Sequence, residues 1–313
     1  MTQPVMQLVI TEIDDSVPGV RTLRLAHPEG RALPSYPPGS HVVLQCGDVA
    51  NAYSLTGDGV SPMRYVVSVL LCPNGSGGSR WIHDEVRIGE TIDVSAPRSA
   101  FAPVHKARRH LLVAAGIGIT PMMSHLYSAK RWGADARLLY IHRAGRGAYL
   151  DEVEQLGMPA RVCTDRDRFH SELTAALISQ PIGTHLYVCG PGTFMDDVIA
   201  QARELGWPPS RIHSERFGVD ALDAGEPFEV ELAGTGQTLT VPSGVSLLEA
   251  LEKNGQNVPN LCRQGVCGEC RIPVARGDIL HRDTYLSDDE KQAGDALMAC
   301  VSRAAGERLE LAL

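Results

Sequence analysis

The chain has 313 residues, 43% of them hydrophobic and 21% charged, and a formal net charge of −8. That length predicts two or three domains, and the acidic balance argues against general nucleic-acid binding. With no run of 18 apolar residues and no basic-then-apolar stretch at its start, the chain is expected to be soluble, non-membrane and cytoplasmic.

Residues 5 to about 103 carry short apolar runs cut by Pro and Gly. The stretches 20–25, 41–44, 65–71 and 91–94 read as strands, with turns at Pro37-Pro38-Gly39 and Asn74-Gly75. Strand runs this frequent, with almost no helical periodicity, predict a closed antiparallel barrel. From His110 the rhythm changes. The runs 111–115, 138–141, 162–163 and 186–189 read as buried strands separated by helical stretches, which predicts a doubly wound parallel sheet. Thr120 and Pro121 are read as the N-cap and first residue of a helix reaching Lys130. The Gly-, Ala- and Asp-rich stretch 218–227 reads as a linker. Beyond it, 228–232 and 237–241 read as a strand pair. Ser246 and Glu249 form a capping-box signature for a helix over 247–254, closed by Gly255.

Three stretches in the first two thirds can hold a ligand. Asn51, Ala52, Tyr53, Ser54, Leu55 and Thr56 lie on an extended segment, where a Tyr ring can cover a flat heteroaromatic and a hydroxyl can meet its edge. Gly77, Gly78, Ser79 and Arg80 form a Gly-rich turn at a helix start, suited to a phosphate or, equally, to a capped hairpin. Gly116, Gly118, Thr120 and Pro121 sit at a strand-to-helix junction that can receive a pyrophosphate, although the third Gly of the dinucleotide fingerprint is missing. Arg143 and the run Cys189-Gly190-Pro191 follow later strand ends, where open sheets bind ligands. Cys189 reads equally as a small buried hydrophobe.

The last third is organised around Cys262, Cys267 and Cys270, with Cys300 beyond them on a predicted strand. C-x4-C-x2-C plus a distant Cys is the ligand spacing of a plant-type [2Fe–2S] cluster. Structural zinc would favour paired C-x2-C knuckles, and one such pair is present. The other four cysteines are scattered, which fits a reducing compartment better than a disulfide framework. From Ala221 to Leu313 there are fifteen acidic residues against eight basic ones. That excess reads as a solvated surface or as a docking face for a basic electron acceptor, with Glu269 and Asp288-Asp289-Glu290 as candidates. The Asp288 run reads equally as a helix start.

The order Tyr-Ser-Leu, Gly-Gly-Ser, Gly-x-Gly-x-Thr-Pro, Cys-Gly-Pro and then the cysteine set resembles the phthalate dioxygenase reductase family, and vanillate demethylase reductases are similar. The resemblance spans essentially the whole chain. It implies an antiparallel flavin-binding β-barrel (1–104), an NAD-binding α/β domain (105–222) and a C-terminal β-grasp ferredoxin domain (223–313), with FMN, NADH and a [2Fe–2S] cluster. By the same resemblance Tyr53 and Ser54 contact the isoalloxazine, with the Ser54 hydroxyl near N5. Ser68, Val69 and Leu70 line the flavin, and Gly78, Ser79 and Arg80 hold its phosphate. Thr120 approaches the flavin edge, Gly116 and Gly118 face the pyrophosphate, and Cys189 lies near nicotinamide C4. Glu215 and Phe217 belong to the segment closing over the flavin. The family usually places Arg where this chain has Asn51, and some members place Lys where it has Leu70.

The expected activity is NADH-dependent electron delivery through FMN and the cluster to a terminal Rieske-type oxygenase, with Ser54, Cys189 and Glu215 at the hydride step. The alternatives are a reductase for a cytochrome P450 or small-molecule acceptor, a ferredoxin-like carrier that does not oxidise NADH, and a zinc-binding interaction module. Arg143 leaves NADPH open beside NADH.

Overall fold

The computed structural model describes residues 5–73, 75, 77–99, 101–217, 225–260, 265, 268–283 and 285–313. They form two compact units, one of residues 1–49 and 53–216, the other of 217–313 with Ala50–Ala52.

The first unit begins with a barrel of β1 (Val5–Asp14), β2 (Val20–Ala26), β3 (Ser40–Cys46), β4 (Val49–Ser54, its residues Ala50–Ala52 counted with the second unit), β5 (Arg64–Leu70), the short helix α1 (Gly78–Asp84), β6 (Thr91–Ser95) and β7 (Arg98–Ser99). The strand order is β4-β3-β6-β1-β2-β5, with β7 on β3. A single antiparallel bridge, Leu55↔Val67, joins the two ends of that order and nearly closes the barrel. Alternation explains the core: Leu8 and Ile10, Leu23 and Leu25, and Tyr65, Val67 and Val69 point inward from their strands. The expected strands are present. So is β1, which a mixed pattern conceals in the sequence. Of the two expected turns, Pro37-Pro38-Gly39 leads into β3, and Asn74 lies outside the described residues.

The same unit continues with β8 (Arg109–Ala115), a 3-10 turn (Gly116–Gly118), α2 (Ile119–Trp132), β9 (Ala136–Ile141), α3 (Leu150–Leu156), β10 (Ala160–Cys163), α4 (Arg166–Ile178), β11 (Thr184–Cys189), α5 (Gly192–Glu204) and β12 (Ile212–Glu215). All neighbours run parallel in the order β10-β9-β8-β11-β12. Every residue of β8 is buried, as a central strand covered on both faces requires. Phe169, Leu173, Met195 and Val198 from α4 and α5 pack on Leu111, Val113 and Val188. The chain winds outward from β8 to β10 and then returns to β11 on the other side of β8. The strand order therefore reverses between β8 and β11, and the crevice opens there. One expectation is corrected. Thr120 does not cap α2: the 3-10 turn runs straight into the helix behind Gly118, and Thr120 Oγ1 donates back to Ile117 O at 2.9 Å. Pro121 fits the first turn because its missing N–H has no intrahelical partner to lose.

The second unit contains β13 (Phe228–Leu232), β14 (Gln237–Val241), α6 (Leu247–Lys253), β15 (Arg271–Arg276), β16 (Ile279–Leu280), α7 (Asp288–Ala293), β17 (Ala296–Met298), β18 (Arg303–Ala304) and β19 (Arg308–Leu311). Its main sheet runs β14-β13-β19-β15-β17, with β13 and β19 parallel. Both helices start with a complete capping box, Ser246/Glu249 and Ser287/Glu290. Asp288-Asp289-Glu290 is thus the first turn of α7, where acidic groups complement the helix dipole. Leu247, Leu248 and Leu251 of α6 pack into the core of this sheet. The Arg303 guanidinium ties the start of the unit together, donating to Val245 O, Pro242 O and Glu226 O and lying 4.9 Å over the Phe228 ring. A second expectation is corrected: Cys300 is on the turn after β17, not on a strand. No helix among the described residues is long and apolar enough to cross a membrane.

Candidate functional site

At the crevice, register places Ala114, Cys189 and Glu215 abreast at the carboxyl ends of β8, β11 and β12. Gly118 allows the 3-10 turn to lie against this row. A Cβ there would stand 2.3 Å from Cys189 O and 2.7 Å from the Gly190 nitrogen, contacts that only backbone movement could relieve. Gly190 is held less tightly, with a Cβ there 2.9 Å from the side chains of Ala115 and Phe194. The barrel meets the row through Ser54, the last residue of β4, whose Oγ donates to Glu215 Oε2 at 3.5 Å.

The electrostatics of this junction follow from dryness. Glu215 is 5% exposed, and burial pushes its carboxyl up to about 8, against the pull of the Ser54 hydrogen bond. Near neutral pH it is chiefly the uncharged acid, able to donate as well as accept. Cys189 is fully buried, and burial first, then the charge of Glu215, raise its thiol well above its ordinary value. It is a neutral, compact side chain rather than a nucleophile.

The remaining expected ligand residues are distributed as follows. Ser79 is buried, and its Oγ accepts from Cys72 N–H at 3.1 Å. The Arg80 guanidinium donates to Pro73 O at 2.6 Å. Both side chains are thus bonded back to the backbone at Cys72 and Pro73. Gly77, with φ 100, has open space where a side chain would stand. Arg143 is exposed beyond β9 and makes no ion pair among the described residues. Ser68 is buried on β5, with Val69 facing the barrel core and Leu70 exposed. Asn51 is half-buried on β4. Phe217 follows Glu215 by two residues and is half-buried.

In the C-terminal unit the Cys270 and Cys300 sulfurs lie 3.1 Å apart, and Cys300 Sγ accepts from Gly265 N–H at 3.2 Å. Cys262 and Cys267 lie outside the described residues. The described residues fit the cluster that the spacing implies. Two thiols converge, a backbone N–H already points at a sulfur, and Gly268, at φ +84, packs where a Cβ would stand 2.2 Å from the Tyr285 ring.

Two family models match the chain. The N-terminal domain of dimethylamine monooxygenase subunit DmmA-like proteins covers residues 91–212, and the 2Fe-2S iron–sulfur cluster binding domain covers 230–305. The phthalate 4,5-dioxygenase oxygenase reductase subunit of Pseudomonas putida is 37% identical to this chain over 94% of its length and 93% of the relative's. The solved structure of a phthalate dioxygenase reductase matches with a TM-score of 0.74 at 31% identity, covering 99% of this chain and 98% of that one. This chain belongs to the phthalate dioxygenase reductase family. The heme-dependent oxidative N-demethylase beta subunit of Ectopseudomonas mendocina is also similar, at 43% identity over 90% of each chain.

Within this reductase, sequence reasoning missed one residue that the fold brings to the site. Tyr149, the N-cap of α3, has φ 64 and ψ 19, a left-handed backbone that costs a bulky side chain ~1–3 kcal/mol. Its hydroxyl lies 2.5 Å from Ser68 Oγ and donates to Thr56 Oγ1 at 3.1 Å. No sequence signal marks it, because local rules exclude an aromatic residue from that conformation.

Proposed function

We propose that this oxidoreductase takes electrons from NADH and passes them through FMN and a [2Fe–2S] cluster to a terminal oxygenase. The observation that carries the reading is the dry junction of Ser54, Glu215 and Cys189 at the point where the parallel sheet's strand order reverses. When bound, FMN accepts a hydride from the nicotinamide and hands on single electrons, chemistry that belongs to the cofactor.

The chain's own residues supply placement and exclusion of water. Tyr53 covers the flavin, and the Gly77–Arg80 turn takes its phosphate on backbone N–H groups. Gly116 leaves room for the pyrophosphate, Gly118 keeps the turn close against Cys189 and Gly190, and Arg143 serves a ribose, a diphosphate or a 2′-phosphate. Ser54 offers a hydroxyl to the flavin edge. Glu215, kept protonated by burial, holds a proton next to that hydroxyl. Cys189 packs beside the nicotinamide without competing as a nucleophile. Cys262, Cys267, Cys270 and Cys300 hold the cluster. We assign FMN binding to residues 1–104, NAD binding to 105–222 and the ferredoxin portion to 223–313, and we place the protein in a reducing cytoplasm.

The test is anaerobic mixing of purified holoprotein with NADH. Flavin bleaching followed by cluster bleaching, and NADH-driven reduction of ferricyanide and cytochrome c, are expected. A yellow-brown protein that never oxidises NADH is a carrier, and the reading fails.

For the acceptor, a specific observation favours a second reading beside the Rieske-type oxygenase. The 43% identical relative is a subunit of a heme-dependent N-demethylase, and the first family model is named for a dimethylamine monooxygenase. On this reading electrons go to a haem protein acting on an N-methylated amine. Anaerobic titration of a haem partner and a Rieske partner with this reductase and NADH separates the two, by a Soret shift in one and a cluster bleach in the other.

A further inference from the structure

The loop after β9 begins with Arg143 and ends at Tyr149, and it is fastened internally. His142 Nδ1–H and Arg146 N–H both donate to Arg143 O at 2.9 Å, and Ala148 N–H donates to Tyr140 Oη at 3.2 Å. A Cβ on Gly147 would stand 2.7 Å from the His142 ring, so the loop has no slack there. The left-handed backbone of Tyr149 aims its ring out of the nucleotide half and into the barrel. There its hydroxyl joins Ser68 of β5 and Thr56 just beyond β4, while Ser68 Oγ lies 2.6 Å from Thr22 Oγ1 of β2. Four hydroxyls from four separate stretches of chain thus form one chain of hydrogen bonds.

Other contacts cross the same seam. Gly39 N–H donates to Ser124 Oγ at 2.9 Å, and Arg131 pairs with Asp58. Neither reaches the segments 54–56 and 68–70, which the flavin reading assigns to the flavin wall, and the bond from Ser54 Oγ to Glu215 Oε2 reaches only the first of them. Tyr149 alone among these contacts touches both. Its hydroxyl keeps its proton at any working pH, because burial lifts the phenol to about 12.

We propose that Tyr149 is a positioning residue: its hydroxyl latches the loop 143–149, on the nucleotide side, to both flavin-wall segments and so sets the gap that the hydride crosses. The inference rests on the reading that the barrel holds flavin and the parallel sheet holds NADH. The physical reason for expecting an effect is the steep dependence of transfer on geometry, where a misplacement of about 1 Å can cost ~100-fold.

The experiment compares wild-type holoenzyme with Tyr149→Phe, which keeps the ring and removes the hydroxyl. The limiting rate of flavin reduction by NADH is expected to fall about tenfold or more, with flavin content and NAD+ affinity little changed. Amide exchange across 142–150 and 66–70 is expected to accelerate together, a readout independent of turnover. Ser68→Ala breaks the latch from the barrel side and should reproduce the loss. The double variant should be no slower than either single, since one coupled contact can be lost only once. A lower melting temperature with an unchanged limiting rate in both variants, or losses that add in the double variant, would overturn the latch. Wild-type protein that fails to reduce flavin with NADH would instead overturn the functional reading beneath it.

Discussion

Replacing Glu215 with Gln should remove a pH-dependent weakness from the first unit. In the unfolded chain this carboxyl titrates at its ordinary value of 4.5, and in the folded protein burial raises it to about 8. Between those values the folded state keeps a proton that the unfolded state has released. The stability it contributes is therefore complete below pH 4.5 and declines as pH rises toward 8, by ~1.4 kcal/mol per pH unit. From pH 5.5 to 7.5 the wild type should lose roughly 2.7 kcal/mol that Glu215→Gln does not lose. The amide is neutral at every pH, nearly the same size, and still able to bond Ser54. Urea unfolding of flavin-stripped protein, followed by tryptophan fluorescence, isolates the effect, because Trp81, Trp132 and Trp207 all lie in the unit that contains Glu215. The difference between variant and wild type should widen steadily across that window. Parallel curves from pH 5 to 8 would mean that Glu215 is ionised or hydrated in the folded protein, and the argument for a stored proton beside Ser54 would collapse.

Cys267→Ser should abolish cluster absorption and electron delivery to protein acceptors while NADH-to-flavin reduction persists; full iron content in the variant would remove Cys267 from the ligand set. Asn51→Arg should tighten FMN binding about ten- to a hundredfold, the worth of a charge-assisted hydrogen bond of ~1.5–3 kcal/mol, and fluorescence titration reads it directly. Gly118→Ala forces a Cβ to within 2.3 Å of the Cys189 carbonyl; it should cost ~1–3 kcal/mol and slow flavin reduction, whereas a neutral result in urea unfolding would show that the turn can shift. If the acidic C-terminal portion steers a basic partner, partner reduction should slow as salt rises toward a Debye length of ~8 Å, with ferricyanide reduction little affected; indifference to salt leaves the charge as a solubility surface.

What the sequence made legible was whatever depends on short-range chemistry. The strands Phe228–Leu232 and Gln237–Val241 and the Ser246 capping box were readable from alternation and spacing, and all three are present as read. The cysteine spacing anticipated the convergence of Cys270 and Cys300, although not the turn that carries Cys300. Thr120 was misread because a 3-10 turn is invisible to periodicity and changes which residue caps the following helix. The strand Ile212–Glu215 shows little apolar run, since it is a short edge strand whose inward residues include His213 and Glu215. Its pairing with β11 is a tertiary fact, and so are the burial of Glu215 and the reach of Tyr149 to Ser68. Motif resemblance named Glu215, but only the fold explains why its acid stays protonated.

Two steps of electron flow make opposite demands on one polypeptide. Hydride transfer needs reacting groups held in one geometry away from water, since the transfer is bimolecular chemistry made local. On the proposed reading the first unit answers with close backbone approach at Gly118, neutral Cys189 and Glu215, and a seam fixed by buried hydroxyls. Delivery to a partner protein needs fast encounter and fast release, which long-range charge supplies better than buried contact does. The last third of the chain holds most of the excess acid, fifteen acidic residues against eight basic. Charge near the hydride junction would be expensive there, and apolar closure around the cluster would slow partner exchange. On the proposed reading, a buried junction in the first unit and an acidic excess in the last third are what the electrostatics of the two steps call for.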